Sequence, residues 1–560
     1  MNIHIVLDDE NRWLGHEPDR VSGSFLVDGR FVRESDVTGT FGSINRAEEA
    51  IGVLQELKGR FRWIRSQPGH VILAVDHLRS LPLFYAVQDN DVYISDLPDL
   101  ILKSLSGPQI DWRLAAEYLI AGYVTGSDTL VREIRQAEPG TIVEIRDKKN
   151  GSGISIDTFR YVDYIHSYRG GSREQFTRDL DDMVVQTMER AVQYAGGRPV
   201  VLPLSGGYDS RLIALSLSRL NYSDVICYSY GREGSTEMKL SRRIAEELGF
   251  RWTNVIHTPE KWRDWFNRSE RAAYYRAASR LSGIPNIQEL VAVGEMKETG
   301  AIPAGSVIMG GHLGDALVGG RGQYDSYTYR DHPETKPETV LRHILHYHYH
   351  LWDWSGYQSQ LESFFSERIL QSLLPIDSYP DSPSACEAWN LQQRQSRFII
   401  PVSRLYDFFG YDYWMPFCDQ DYMRFWLSVP LQFRHDKNLY TQYIDRQSPF
   451  QIAARAPGKR ILAMRERIRH TPLFRPAQFL YNSWMQRRKR KNEYRSHPMA
   501  WYGIMEEEAF EALYTGRENI NSFQSLELLR TLLQNGYISP DEILQRSCKK
   551  LAGTGTDIHG

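Results

Sequence analysis

One stretch limits the folds open to this chain more than any other. It runs Val200-Val201-Leu202-Pro203-Leu204, then Ser205-Gly206-Gly207-Tyr208-Asp209-Ser210, then Arg211-Leu212-Ile213-Ala214-Leu215-Ser216-Leu217. The apolar run reads as a buried strand, the small residues as a tight loop, and the last segment as the start of a helix. A strand, a glycine loop and a helix N-terminus together aim several backbone N–H groups at one point. Unpaired donors and the helix dipole both favour negative charge there. Gly206 and Gly207 let the backbone come close to a ligand, and Ser205 and Ser210 add hydroxyl donors. Asp209 puts a carboxylate beside an anion site. That placement makes sense if Mg²⁺ lies between the two, since Mg²⁺ is held by one or two carboxylates plus substrate phosphates.

No lysine follows the glycines, so the loop is not of the Walker type. The order S-G-G-x-D-S resembles the pyrophosphate loop of the ATP pyrophosphatases, which cleave ATP between its α- and β-phosphates. That resemblance implies ATP or pyrophosphate contacts at Pro203, Ser205, Gly206, Gly207, Asp209 and Ser210. A small-residue turn without function is the alternative reading.

Further strands follow in alternation with helices. Val225-Ile226-Cys227-Tyr228-Ser229-Tyr230-Gly231 and Trp252-Thr253-Asn254-Val255-Ile256 read as strands, with a capped helix from Ser235 between them. Ser306-Val307-Ile308-Met309 reads as a fourth strand, and Gly310-Gly311-His312-Leu313-Gly314-Asp315 follows it. Alternation of this kind implies a doubly wound parallel sheet with its ligand at the carboxyl ends of the strands. Upstream, His70–Asp76, Pro82–Val87 and Val92–Ser95 read as short strands, with a helical period over 47–57, which suggests an α+β layer.

The whole pattern resembles the asparagine synthetases. In the N-terminal part the resemblance rests on Gly59-Arg60-Phe61, Asp76-His77, Pro82-Leu83-Phe84-Tyr85 and Tyr93-Ile94-Ser95-Asp96. It continues through Tyr118–Tyr123, Pro139-Gly140-Thr141, the loop, and the segment from Gly310 to Asp315, which is similar to the family's G-E-G-x-D-E. The resemblance implies an α/β fold in three parts. Residues 1–165 form a glutaminase-like α+β sandwich of the N-terminal-nucleophile type, 170–495 an ATP-pyrophosphatase synthetase domain, and 496–560 a helical extension. It also implies ATP and Mg²⁺ as cofactors, Mg²⁺ on Asp209 and Asp315, and nucleotide contacts at Tyr230, Gly231, Gly310 and Gly311.

The departures are informative. The family's nucleophilic second residue is a cysteine, and here it is Asn2; its glutamine-holding Asn-Gly-Glu falls on Lys58-Gly59-Arg60. Asp76 matches the aspartate that holds the glutamine amino group. The expectation is a silent glutaminase half. His312 replaces a family glutamate near the carboxylate being activated, and a histidine there could move protons near neutral pH; a structural histidine is the alternative. Ala316 replaces a second glutamate. Lys459 falls where the family keeps a lysine over the activated intermediate, with Arg455 competing for the role. Arg404 and Asp419 read as structural. His346 and His350, at i, i+4 spacing, suit zinc only if a third ligand exists; an aromatic helix packing on the core is the other reading.

The reaction expected is formation of an acyl-adenylate from a small-molecule, peptide or sugar carboxylate, then displacement of AMP by ammonia or an amine. An intramolecular cyclase and a nucleotide-binding scaffold are the alternatives, and a homodimer is compatible with either. A formal net charge of −3 over 560 residues offers nothing to nucleic acid. The basic run Arg487–Lys491 reads as a solvated helix face, with an anionic acceptor or membrane surface as the sharper alternative. Four scattered cysteines fit a reducing compartment, and no apolar run reaches the roughly 18 residues of a spanning helix, so a cytoplasmic location is expected.

Overall fold

Alternation along the strand His70–Val75 explains the N-terminal layers. Val71, Leu73 and Val75 face one way, Ile72 and Ala74 the other, and all five are buried. The first set packs against Leu83, Tyr85, Val92 and Ile94 of a second sheet. The second set packs with Ala50 and Leu54 of the helix Ala47–Glu56. A strand covered on both faces needs apolar residues at every position, which is what this one has.

These elements belong to a computed structural model that describes residues 1–148, 153–319, 335–448, 493, 494, 497 and 505–553. The larger N-terminal sheet has seven strands, running from Ile154–Arg160 through Thr141–Asp147, His70–Val75, Lys58–Gln67 and Asp19–Val27 to Trp13–Leu14, with Arg30–Phe31 paired to Asp19–Val27. The smaller is ordered Asn2–Ile5, Asp91–Ser95, Phe84–Gln88, Ile134–Gln136. The helices Pro98–Leu102 and Trp112–Ala121 bury Ile101 and Leu114 with Phe84 and Ala86 of the smaller sheet. The result is a helix–sheet–sheet–helix sandwich, as the sequence reading expects.

The second sheet system is wholly parallel. Its strands lie in the order Arg251–Ile256, Val225–Gly231, Val200–Pro203, Val307–Met309, Asp412–Trp414. Strand order reverses between Val200–Pro203 and Val307–Met309. Open parallel sheets bind ligands in the crevice beyond the carboxyl ends at such a switch point. The loop after Val200–Pro203 and the segment after Val307–Met309 therefore emerge side by side. The fifth strand, Asp412–Trp414, is three residues long and gives no periodic signal of its own.

Ion pairs join the two systems. Lys58 Nζ lies 2.5 Å from Asp421, and Arg60 Nη2 lies 2.7 Å from Asp412 and stacks 3.8 Å over the Tyr413 ring. The C-terminal helices Ile520–Leu532 and Pro540–Leu551 pack on Trp112–Ala121, and Ser525 Oγ donates to Leu119 O at 3.0 Å. Among the described residues no helix is long and apolar enough to cross a membrane.

Candidate functional site

The helix Tyr208–Arg219 starts at Gly207 with no side-chain cap, so its first-turn N–H groups are left for a ligand. Serine hydroxyls hold the loop in shape. Ser210 Oγ accepts from Ser205 N at 3.1 Å, and Ser205 Oγ accepts from Gly207 N at 3.1 Å. Arg211 braces it from behind by donating to Gly206 O at 3.1 Å.

Asp209 sits in the first turn of that helix and accepts from Tyr440 Oη at 2.6 Å. The second glycine segment packs directly on it. A Cβ on Gly314 would lie 2.5 Å from Asp209 Oδ1, and one on Gly311 would lie 3.0 Å from Asp209 Cβ. A side chain at either position would have to displace Asp209. Asp315, one position on, comes close enough for its charge to bear on Asp209. Burial first, and then the Asp315 carboxylate, push the Asp209 carboxyl up to about 7. Asp315 is exposed and forms an ion pair with Lys437. The sequence reading requires these two aspartates to converge, and they do.

The surrounding backbone is strained. Leu313, Asp436 and Lys437 all have left-handed conformations, at φ 75°, 54° and 58°. Such residues persist only where neighbours over-determine them, and they cluster at functional sites. Here they place Asp315 and Lys437 opposite each other.

His312 lies against Gly310, where a Cβ would approach its Nδ1 to 2.4 Å. Its Nδ1 is buried with no hydrogen-bond partner, and burial lowers its pKa to about 4. It is therefore neutral at pH 7, and it titrates well below the near-neutral range expected from the residue type alone. Ala316 is buried and brings no carboxylate. On the other side of the crevice, the Tyr230 ring stacks on His257 at 5.2 Å between centroids. His257 N donates to Gly231 O at 2.8 Å. Behind them Glu289 accepts from Tyr228 Oη at 2.7 Å and Tyr406 Oη at 2.9 Å, and burial raises its pKa.

Pro203, Ser205, Gly206, Gly207, Asp209, Ser210, Tyr230, Gly231, Gly310, Gly311, His312 and Asp315, the residues singled out in the sequence, stand at or just beyond the carboxyl ends of the strands Val200–Pro203, Val225–Gly231 and Val307–Met309. Sequence reasoning misses Gly314, Tyr440 and His257. The spacing of Gly314 within its segment was the available signal; Tyr440 ends the family-like stretch Lys437-Asn438-Leu439-Tyr440 without its contact to Asp209 being readable, and His257 carries no signal. Lys459, Arg455 and the basic run Arg487–Lys491 lie outside the described residues. His346 is in the helix Pro337–His348 and His350 lies beyond its end, so the two do not share a helical face. Among the described residues no three His, Cys, Asp or Glu side chains gather as a metal site. An ion at Asp209 and Asp315 would need phosphate oxygens to complete its shell.

The N-terminal positions behave differently. Asp76 is fully buried and accepts from Leu78 N at 2.9 Å and from Ser80 N at 3.0 Å. It organises a turn. Arg404 is buried and donates to Ala278 O. Asp419 caps the helix Gln420–Ser428 and receives both ends of Arg190 at 2.7 Å. Both of these roles are structural.

A doubly wound sheet with an anion-ready helix terminus and two converging carboxylates at its switch point defines a nucleotide-type α/β domain. The asparagine synthase family profile matches residues 180–534, well over half of the chain, and the chain belongs to that family. A provisionally named asparagine synthetase (glutamine-hydrolyzing) 1 of Methanocaldococcus jannaschii is 26% identical over 291 residues, 51% of this chain and 49% of that protein. A provisionally named asparagine synthetase of Mycobacterium tuberculosis H37Rv is 27% identical over 210 residues, 36% of this chain and 31% of that protein. The matched stretches thus span half or less of these relatives. An NH3-dependent NAD synthetase from Campylobacter jejuni aligns with 40% of this chain and 95% of its own at 15% identity, with a TM-score of 0.19, too low to bear on the fold.

Proposed function

We propose that the protein is an ATP-dependent amide-forming ligase. In this reading it adenylates a carboxylate, releases pyrophosphate, and lets an amine displace AMP. The convergence of Asp209 and Asp315 beside an uncapped helix N-terminus carries the proposal. Family membership supports it at the level of reaction class.

The two carboxylates fit a divalent cation, because a positive ion between them relieves the repulsion that raises the Asp209 carboxyl. Mg²⁺ held there would supply neutralising charge for the pyrophosphate. The chain's own groups do the rest. The helix N–H groups and the hydroxyls of Ser205 and Ser210 cradle the leaving phosphates. Lys437, poised on Asp315, adds a mobile cation at the same place. Tyr230 and His257 offer a stacked aromatic face to the base. His312 is neutral at pH 7 and presents a hydrogen-bonding side chain to the acceptor. Lys459 is proposed as the cation over the α-phosphate.

The amine is proposed not to come from glutamine bound in the N-terminal half. Both Asp76 oxygens are committed to the turn, and Lys58 and Arg60 are committed to Asp421 and Asp412. Free ammonia, ammonia from a partner protein or an acceptor-borne amine remains.

ATP–pyrophosphate exchange across a panel of carboxylic acids, with ammonia and with glutamine supplied separately, tests the reading. Acid-dependent exchange with amide formation from ammonia but not glutamine is expected. Glutamine-driven amidation would overturn the donor assignment, and absence of exchange with every acid would overturn the ligase assignment. The second reading, a nucleotide-binding scaffold, is favoured by one observation: Ala316 leaves the acceptor side without a carboxylate. It predicts ATP binding with no exchange.

A further inference from the structure

One turn and the helix that follows it reach both aspartates at the switch point. The turn joins the short helix Leu431–Arg434 to the helix Asn438–Gln447. Lys437 in the turn pairs with Asp315, and Tyr440 in the first turn of the second helix donates to Asp209 at 2.6 Å. Asp436 and Lys437 both sit in left-handed backbone, at φ 54° and 58°. Such a turn keeps its shape only where its surroundings fix both of its ends. Tyr440 fixes the downstream end. At the upstream end stands Arg434, which is 0% exposed.

Arg434 is tied to the segment that carries Asp315. Its Nη2 donates to Leu317 O in the helix Gly314–Leu317, and lies 2.6 Å and 2.7 Å from the two oxygens of Glu387 in the helix Ser382–Trp389. Its backbone meets the same segment: a Cβ on Gly319 would lie 2.4 Å from Arg434 O. Glu387 is held in its turn. His166 Nε2 lies 2.7 Å from Glu387 Oε2, and His166 Nδ1 lies 2.6 Å from Tyr168 Oη, which donates to Asp381 at 2.7 Å. Asp381 caps the helix that carries Glu387 by accepting from Ser384 N at 2.8 Å. A guanidinium is a rigid planar fork, so partners on two elements fix its angle as well as its distance. Well-packed apolar side chains of similar volume often stabilise at least as well as a buried ion pair, and the best-attested use of such a pair is to fix one register.

We propose that Arg434 is a positioning residue for the pyrophosphate site, a role that rests on the ligase reading above. It holds the turn of Lys437 at one spacing from the segment of Asp315, so that the Lys437 ammonium stands where the leaving phosphates gather. Arg434 is enclosed by Leu317, Gly319 and Glu387, and it acts through Lys437. Glu387 and His166 keep the guanidinium from turning away from Leu317 O.

ATP–pyrophosphate exchange with an acid that the unaltered protein accepts separates this role from a merely structural one. Arg434→Met is expected to raise the KM for pyrophosphate on the order of 10-fold, as loss of an outer-shell partner does, and to leave the KM for the acid within about twofold. Partial unfolding alone would lower the amount of active protein and move neither KM. In a Lys437→Met background, Arg434→Met is expected to add less than about twofold, since the side chain it positions is gone. An unchanged pyrophosphate KM, or the same rise repeated in the absence of Lys437, would overturn the proposal. No exchange in the unaltered protein with any acid would instead overturn the ligase reading, and this role with it. Should Arg434→Met fail to fold, Arg434→Met combined with Glu387→Gln removes the stranded carboxylate and decides by the same two constants.

Discussion

The segments around Asp209 at the switch point of the parallel sheet and the N-terminal positions around Asp76 are built from the same residue types with opposite outcomes. In the N-terminal half, backbone donors fill the Asp76 carboxylate, and Asp421 and Asp412 take Lys58 and Arg60. Around Asp209 the chain leaves work undone. Two carboxylates face each other, a helix terminus has no cap, and three residues are held in left-handed backbone. Matched polar groups join domains, whereas unmatched ones wait for a ligand. The same carboxylate chemistry gives architecture in one place and, in the function proposed above, a metal and phosphate site in the other.

That contrast can be broken, and the largest effect is expected at the carboxylates. Asp209→Asn or Asp315→Asn should reduce pyrophosphate exchange by about 10³-fold, since losing one preorganised charge costs on the order of 10²–10³. Thermal unfolding of Asp209→Asn should be no worse than that of the parent, because burial and repulsion disfavour this carboxylate. A variant that keeps full exchange would remove the distinction between the two regions.

A comparable effect is expected on stability in acid. Burial holds His257 near pKa 4, below its value of about 6.5 in the unfolded chain. The unfolded chain then binds the extra proton, so stability is complete above about pH 6.5 and falls as pH drops towards 4. The loss is about 3 kcal/mol. Denaturant titrations at pH 7 and pH 4.5 should show it, and His257→Gln should remove most of the difference. An unchanged difference in the variant would count against a buried neutral histidine.

Gly314→Ala comes next. Its Cβ would lie 2.5 Å from Asp209 Oδ1. Displacing that carboxylate by about 1 Å should lower exchange on the order of 10²-fold. The paired region should respond in the other currency. Arg60→Ala should cost about 2 kcal/mol in a denaturant melt by stranding Asp412, which Arg198 also contacts at 2.9 Å. It should leave pyrophosphate exchange within about twofold. If Arg60→Ala lowers exchange as far as Gly314→Ala does, the N-terminal half takes part in the synthetase chemistry.

How much of this is legible in the sequence follows from how local each feature is. The loop with Asp209, and the segment with Asp315, are each carried by fewer than a dozen consecutive residues, and strand, glycine and helix signals sit side by side. The strand His70–Val75 is legible because burial on both faces forces a continuous apolar run, whereas Asp19–Val27 and Lys58–Gln67 are interrupted by charged residues and glycine and give no such signal. Lys437 and Tyr440 reach the site from the far end of the sheet, through a turn whose left-handed residues are not glycines. The stretch Lys437-Asn438-Leu439-Tyr440 resembles the place where the asparagine synthetases keep a lysine, but nothing local shows that these side chains meet Asp315 and Asp209. Asn390–Ile399 winds as a π-helix and buries Gln392, Gln393 and Arg397, polar residues that read as surface in the sequence. The destination of Lys58 and Arg60 is equally silent, because the acids they meet lie more than 350 positions away.

Manganese shares the coordination chemistry of magnesium and can be located by anomalous scattering. The direct test of the account is a crystal structure of the protein with Mn²⁺ and a non-hydrolysable ATP analogue. The metal is expected within about 2.2 Å of carboxylate oxygens from both Asp209 and Asp315, with the β- and γ-phosphates against the loop from Ser205 to Ser210. A metal–nucleotide complex bound elsewhere, or one touching neither aspartate, would contradict it.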